Sequence, residues 1–245
     1  MILYDSNLKI FSSSLINDKN FFSGFGTRQL GDGKRHVDNI FKFLNDNEIS
    51  YKKVVIPEQI HSVNIGFFKS KAIDRLEKVD ETDGILTNEQ GIVLTVVTAD
   101  CCPIIFVDKD AKLVGISHQG WRGSVKRLVQ KMIEKMIDRG AKIESIRVAI
   151  GPAIGECCYD VDDDRYFEFK EEFDGYSDRI FHLRGGRWHL NLALLNYLLL
   201  LEKGISRDSI DYLPFCTRCD KERFFSFRRD KDNDLSEMFS FIIKY

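Results

Sequence analysis

Lys112-Leu-Val-Gly-Ile-Ser-His118-Gln-Gly-Trp-Arg-Gly123-Ser-Val125 contains a change of period. Residues 113–117 form a short apolar run, as a buried strand requires, and Gly120 and Gly123 supply a tight turn after it. From Val125 onward the apolar residues Val125, Leu128, Val129, Met132, Ile133, Met136 and Ile137 recur at three- and four-residue intervals, with charged residues between them. That pattern predicts an amphipathic helix opened by residues 120–123 and stopped by Gly140. His118 then stands at a strand end beside the free N–H groups of a helix start, which suits a metal ligand facing an anion. The alternative is a histidine that only satisfies a turn.

The same alternation of strand and helix extends outward. Residues 92–97 are a β-branched run, read as a buried strand that delivers Thr98-Ala-Asp100-Cys101-Cys102-Pro103 at its end. Residues 51–56, 104–107, 146–150 and 239–243 read as further strands. Residues 36–44 and 190–202 read as helices, the second apolar on most sides and capped by Gly204. Residues 21–33 are rich in glycine and read as a loop carrying Arg28, and residues 80–84 as a turn. In residues 58–65 polar and apolar side chains alternate, placing Gln59 and His61 on one face. No linker, internal repeat or low-complexity segment interrupts the chain. The expectation is one compact α/β domain over residues 1–245, with mixed sheets flanked by helices.

Composition narrows the function. The formal net charge of the 245 residues is -2, which gives no electrostatic reason to expect nucleic acid or an anionic membrane as a partner. Residues 192–201 are the longest apolar stretch, interrupted by Asn196 and far short of the ~20 residues a bilayer needs. The first residues lack the pattern of a secretory signal, so a cytoplasmic location is the default expectation. The six cysteines are accordingly read as reduced thiols: Cys101-Cys102, Cys157-Cys158 and Cys216-x-x-Cys219. Adjacent cysteines on a strand point to opposite faces, so one of each pair would serve a given site. Cys216-x-x-Cys219, without a second pair beside it in sequence, reads as packing or turn stabilisation.

His61, Cys101 and His118 each sit at the end of an apolar strand, where side chains from neighbouring strands can converge on one edge. Three such ligands with an open fourth position are the donor set of catalytic zinc. Two histidines and a cysteine also describe a blue-copper centre, but the five histidines of the chain cannot hold that and a trinuclear cluster as well, so zinc is favoured. Asp100, a carboxylate beside the proposed cation, is the candidate for moving a proton, or else caps a turn. Arg28, Arg122 and Arg228 are the candidates for holding a substrate anion, aided by the helix start at residues 120–123. The His-x-Glu signature of nucleobase deaminases is absent, since Ser62 and Val63 follow His61.

Taken together, Gln59-Ile-His61, Thr98-Ala-Asp-Cys101-Cys-Pro103, His118-Gln-Gly-Trp-Arg-Gly123, Gly151-Pro-Ala-Ile-Gly155 with Cys158-Tyr159-Asp-Val161, and Cys216-Thr with Phe225-Ser-Phe-Arg228-Arg229 resemble the laccase-domain family. That family also carries the labels multicopper polyphenol oxidase, purine nucleoside phosphorylase and peptidoglycan editing factor. The resemblance implies zinc at His61, Cys101 and His118 and an α/β fold of paired mixed sheets. It further implies phosphorolysis of adenosine, inosine and methylthioadenosine, together with adenosine deamination. An alternative within the resemblance is an amidase that edits a nucleotide-linked muropeptide, UDP-MurNAc carrying L-Ser or Gly in the wrong place. A polyphenol oxidase and a zinc-stabilised binding module stand behind these. The chain departs from the family pattern at Gly26-Thr27-Arg28-Gln29-Leu30-Gly31, and at Leu235-Ser236-Glu237, where relatives carry Thr-Gly-Arg.

Overall fold

The computed structural model describes residues 1–70, 74–232 and 235–245. Two mixed sheets stack face to face. The first has seven strands in the order Ile2–Asp5, Ile10–Ser13, Phe21–Gly26, Met238–Lys244, Ile92–Thr98, Lys53–Pro57 and Leu76–Val79. The second has six, in the order Ile210–Tyr212, Ile146–Ile150, Cys102–Asp108, Leu113–Gln119, Gly84–Thr87 and Ile65–Phe67. A small third sheet orders Asp160–Val161, Arg187–Leu190 and Phe181–Arg184. The expected α/β class with mixed sheets flanked by helices is what the chain adopts.

The strand period sorts side chains between layers. Along Ile92–Thr98, Leu94 and Val96 face the inter-sheet core with Ile105, Val107, Val114 and Ile116 of the second sheet. Val93 and Val97 face the opposite way, onto Ile40, Phe43 and Leu44 of the helix Asp38–Asp46. Both faces are therefore buried, which is why the strand reads as an unbroken apolar run rather than an alternation. The outer face of the second sheet carries Phe106 and Leu113, covered by Leu128, Met132 and Met136 of one helix and Leu195 and Leu199 of another. Each fully buried residue of this kind contributes roughly 1.5–3 kcal/mol of transfer free energy before conformational entropy is set against it.

Three local expectations are corrected. The helix expected to open at residues 120–123 is broken: Trp121–Val125 is a separate short helix, and the long one is Leu128–Ile137. Arg127 between them adopts a left-handed φ of 61°, and its guanidinium is fixed by Glu172 and Glu202 at 2.6 and 2.9 Å. The apolar period runs through this break, so the sequence pattern conceals it. Residues 21–26 form a strand rather than a loop. A Cβ on Gly26 would stand 2.5 Å from the Phe239 carbonyl oxygen, so this glycine serves close strand packing. Residues 58–64 are not a strand; His61 sits in a loop with φ of 60°.

Candidate metal centre and its basic cavity

The site forms where the chain crosses between the two large sheets. Ile92–Thr98 belongs to the first sheet and Cys102–Asp108 to the second, so Ala99-Asp100-Cys101 is the bridge. Asp100 takes a φ of 88°, a costly conformation for a residue other than glycine, of order 1–3 kcal/mol. Its carboxylate offsets that cost by accepting three hydrogen bonds. Thr217 Oγ1 donates at 2.6 Å, Ser226 Oγ at 3.0 Å and the Arg228 backbone N–H at 2.7 Å. Asp100 thus clamps the C-terminal segment against the crossover, and it lines the cavity described below.

His61, Cys101 and His118 do converge, with all their ligand atoms within 4.8 Å of one another. Cys101 Sγ lies 3.8 Å from His61 Nε2. His118 is buried in the last turn of strand Leu113–Gln119, Cys101 is half-buried and His61 is exposed, so the group opens to one side. Gly120 makes the convergence possible, since a Cβ there would meet His61 Cδ2 at 2.6 Å and Cys101 Sγ at 3.4 Å.

Asp83, which sequence reasoning passed over, organises the cluster. Its buried carboxylate accepts from the backbone N–H groups of Ile60, His61 and Ser62 at 3.2, 3.1 and 2.6 Å, and from the Ser62 hydroxyl at 2.7 Å. It also holds His118 Nδ1 at 2.8 Å, and the His118 backbone N–H donates to the Asp83 carbonyl at 2.8 Å. With Nδ1 engaged, His118 presents Nε2 to the other two ligands. This carboxylate–histidine arrangement is what metal-ligating imidazoles ordinarily have behind them. The donor set of two imidazole nitrogens and one sulfur fits zinc or another borderline-soft ion, and the residues present can hold it.

The charges agree with that reading. Burial raises the Cys101 thiol, but the facing charge of His118 and hydrogen bonds from both histidines outweigh it and bring it down to about 7. Burial lowers His118, yet the Cys101 sulfur and Asp83 push it up to about 10. Asp83 itself is held below its usual range: burial raises it, and the bonds from His118 and Ser62 overcome that.

The three candidate ligands line a cavity of about 1030 Å³, at the upper end of what small-molecule sites occupy. Arg122 and Arg228 line it, as do Arg165, Lys34, Lys78 and Tyr159. Arg122 and Arg165 both lie over the indole of Trp121, with their Cζ atoms 4.3 and 4.2 Å from its centroid. Arg228 is held by Asp160, through Oδ1 at 2.6 Å and the carbonyl at 3.0 Å, and lies 5.2 Å over the Tyr159 ring. Burial pushes the Tyr159 phenol up to about 12, so it remains a neutral hydroxyl. Arg165 Nε and Thr98 Oγ1, two buried polar atoms of cavity-lining residues, have no hydrogen-bond partner among the described residues.

Arg28 is not brought to this cavity. Its guanidinium donates to the Lys221 carbonyl at 2.5 Å and stacks over Phe225, so it fastens the C-terminal segment instead. The positive charge lining the cavity comes from side chains rather than a long helix start, because Trp121–Val125 is only five residues. Arg165 was not legible as a site residue, being one cation in the acidic helix Asp163–Glu172. Glu237, the departure from the family pattern, lines the cavity and is paired with Lys34 at 2.7 Å. Of the other histidines, His182 faces Glu156 at 3.3 Å, His189 bonds the Glu156 carbonyl at 2.7 Å and His36 is exposed.

Fold and site together define a protein of two stacked mixed sheets with a candidate His2Cys ligand group lining a cavity that carries five cations and four carboxylates. The family model for multi-copper polyphenol oxidoreductase laccase matches residues 18–244, and the chain belongs to that family. It is 32% identical over 222 residues to adenosine deaminase RL5 from an unknown prokaryotic organism, covering 87% of this chain and 85% of that one. It is 34% identical over 163 residues to purine nucleoside phosphorylase YlmD of Bacillus subtilis, covering 66% of this chain and 58% of that one. The crystal structure of YlmD from Geobacillus stearothermophilus superposes with a TM-score of 0.87 at 27% identity, over 99% of this chain and 98% of that one. These relatives carry the names of enzymes acting on purine nucleosides. Among the described residues no helix is long and apolar enough to cross a membrane.

Proposed function

We propose that the chain is a zinc-dependent purine nucleoside phosphorylase that also deaminates adenosine. The observation that carries the reading is the opening of His61, Cys101 and His118 into a cavity whose wall bears Arg122, Arg165 and Arg228. A purine nucleoside and an inorganic phosphate are the two things such a cavity must accommodate together, one flat and amphipathic and the other anionic. In phosphorolysis a phosphate oxygen forms a bond to the ribose C1′ as the bond to the purine nitrogen breaks, giving free base and ribose 1-phosphate. In deamination water replaces the purine amino group, giving inosine and ammonia.

The chain's own residues divide these tasks. Arg122, Arg165 and Arg228 bind phosphate, with Arg228 pre-aimed by Asp160 so that little ordering remains on binding. Trp121 and Tyr159 offer aromatic faces beside the cations. Zinc bound by His61, Cys101 and His118 supplies a Lewis acid, and zinc is favoured over copper because His36, His182 and His189 all lie apart from the cluster. Asp100 enters the proposal as the carboxylate that moves a proton and as the anchor of Arg228. Its carboxylate is engaged by Thr217, Ser226 and the Arg228 backbone, so anchoring is the stronger of its two tasks.

The test is the purified, zinc-loaded chain incubated with adenosine, inosine or methylthioadenosine and phosphate, and separately with UDP-MurNAc bearing L-Ser. Free base and ribose 1-phosphate from the nucleosides support the reading. Amino-acid release from the muropeptide with no nucleoside product would replace it by the editing amidase.

A further inference from the structure

Four cysteines gather at a second place. Cys157, Cys158, Cys216 and Cys219 bring their sulfurs within 4.8 Å of one another, well apart in sequence from the His61 group. In sequence, Cys216-x-x-Cys219 has no second pair beside it. The second pair is Cys157-Cys158, which lies on a turn and not on a strand, so both sulfurs face the same way. The turn is fixed by the Cys158 and Tyr159 N–H groups donating to the Gly155 carbonyl at 2.9 and 3.0 Å. The facing turn begins at Cys216, whose backbone forms a bridge with Ala153, while Thr217 N–H donates to the Ala153 carbonyl at 3.0 Å. Gly155 leaves room, since a Cβ there would meet Cys216 Cβ at 3.1 Å and Cys157 Sγ at 3.3 Å.

The geometry points to a tetrathiolate zinc site formed by Cys157, Cys158, Cys216 and Cys219, structural and separate from the His61 group. Four sulfurs on zinc at about 2.3 Å each stand about 3.8 Å apart along the edges of a tetrahedron. Cys219 Sγ lies 3.5 Å from Cys157 Sγ and 3.3 Å from Cys158 Sγ, a few tenths short of that edge. Disulfides join sulfurs in pairs, whereas Cys219 approaches two sulfurs almost equally. A closed four-sulfur set leaves no open position, so the ion binds no substrate. Its task is to fasten two loops, one lining the cavity next to Cys158 and the other bound to the cavity-lining Asp100. Tyr159, next to Cys158, lines the cavity, and Thr217, next to Cys216, holds Asp100 at 2.6 Å.

The experiment counts metal on the full chain, purified and zinc-loaded under reducing conditions. About two zinc ions per chain are expected, falling to about one in His118→Ala, with the remaining ion released by a mercurial thiol reagent. Cobalt titration of the unsubstituted chain asks the same question without any variant. Charge-transfer absorption of about five coordinated thiolates at saturation supports the site, and that of about one, from Cys101 alone, overturns it. Free titration of Cys157, Cys158, Cys216 and Cys219, in addition to Cys101, in zinc-loaded His118→Ala also overturns it, as do disulfides among these four cysteines on non-reducing peptide mapping. None of these readouts depends on nucleoside turnover, so a failure here leaves the proposed function standing, and the reverse.

Discussion

Asp83 Oδ1 lies 2.8 Å from His118 Nδ1, while the same carboxylate collects the backbone N–H groups of Ile60, His61 and Ser62. One buried acid therefore sets the orientation of two of the three candidate ligands, although it touches neither ligand nitrogen that faces the site. Asp83→Asn keeps the size but removes the charge and turns one acceptor oxygen into a donor. The expected outcome is a 10- to 100-fold loss of zinc affinity, the usual scale for such supporting carboxylates. Isothermal calorimetry with a competing chelator measures it. Unchanged affinity would mean the loop at His61 is held by something other than Asp83.

Metal binding should depend on pH in a direction that the two shifted ligands fix. Zinc takes Cys101 as thiolate and His118 as neutral imidazole, whereas in the metal-free protein Cys101 sits at about 7 and His118 at about 10. Between those values one proton, on His118, must leave for each ion bound; below about 7 a second leaves from Cys101. Affinity at this site should thus rise about tenfold per pH unit from 7 to 10 and more steeply below 7. Calorimetry in buffers of different ionisation enthalpy counts the protons, best in a Cys216→Ser/Cys219→Ser chain so that one site is read. An affinity flat across this range would contradict the imidazolium–thiolate pair.

The cations divide into those that line the cavity and those that do not. Arg228→Ala should raise the KM for phosphate about 10- to 100-fold, the scale of one charged hydrogen-bonding group at roughly 1.5–3 kcal/mol. Arg28→Ala should leave that KM within about twofold while lowering thermal stability, because Arg28 fastens residues 221–225 and does not line the cavity. Asp100→Asn should raise the KM for phosphate more than it lowers kcat, through the loss of the Arg228 anchor. A fall in kcat alone, with one limb of the pH profile gone, would show instead that proton transfer is its main task.

Strand positions are legible because burial on both faces leaves an unbroken apolar run, as in Ile92–Thr98, and the places of Cys101 at the crossover and His118 at a strand end follow from it, whereas their reading as ligands rests on the family resemblance. The helix break is not legible, since Val125, Leu128 and Val129 keep their spacing across Lys126 and Arg127 while the left-handed turn at Arg127 rests on contacts with Glu172 and Glu202 far along the chain. Asp83 was one acid in an acidic turn, and nothing local marks the one that reaches His118. The four-cysteine cluster brings together two loops about 60 residues apart, and Cys157 and Cys158 share a face because the chain turns there, whereas strand geometry would separate them. Long-range polar pairing, in short, leaves little trace in periodicity.

On the proposed function, the His61, Cys101 and His118 group turns over purine nucleosides when it holds metal. The decisive measurement is zinc titrated into chelator-stripped protein, with adenine release from adenosine and phosphate followed throughout. No release is expected without metal, then a rise to saturation as zinc binds, and none at any zinc level from folded Cys101→Ala. Undiminished release from the stripped protein, or from Cys101→Ala, would contradict it.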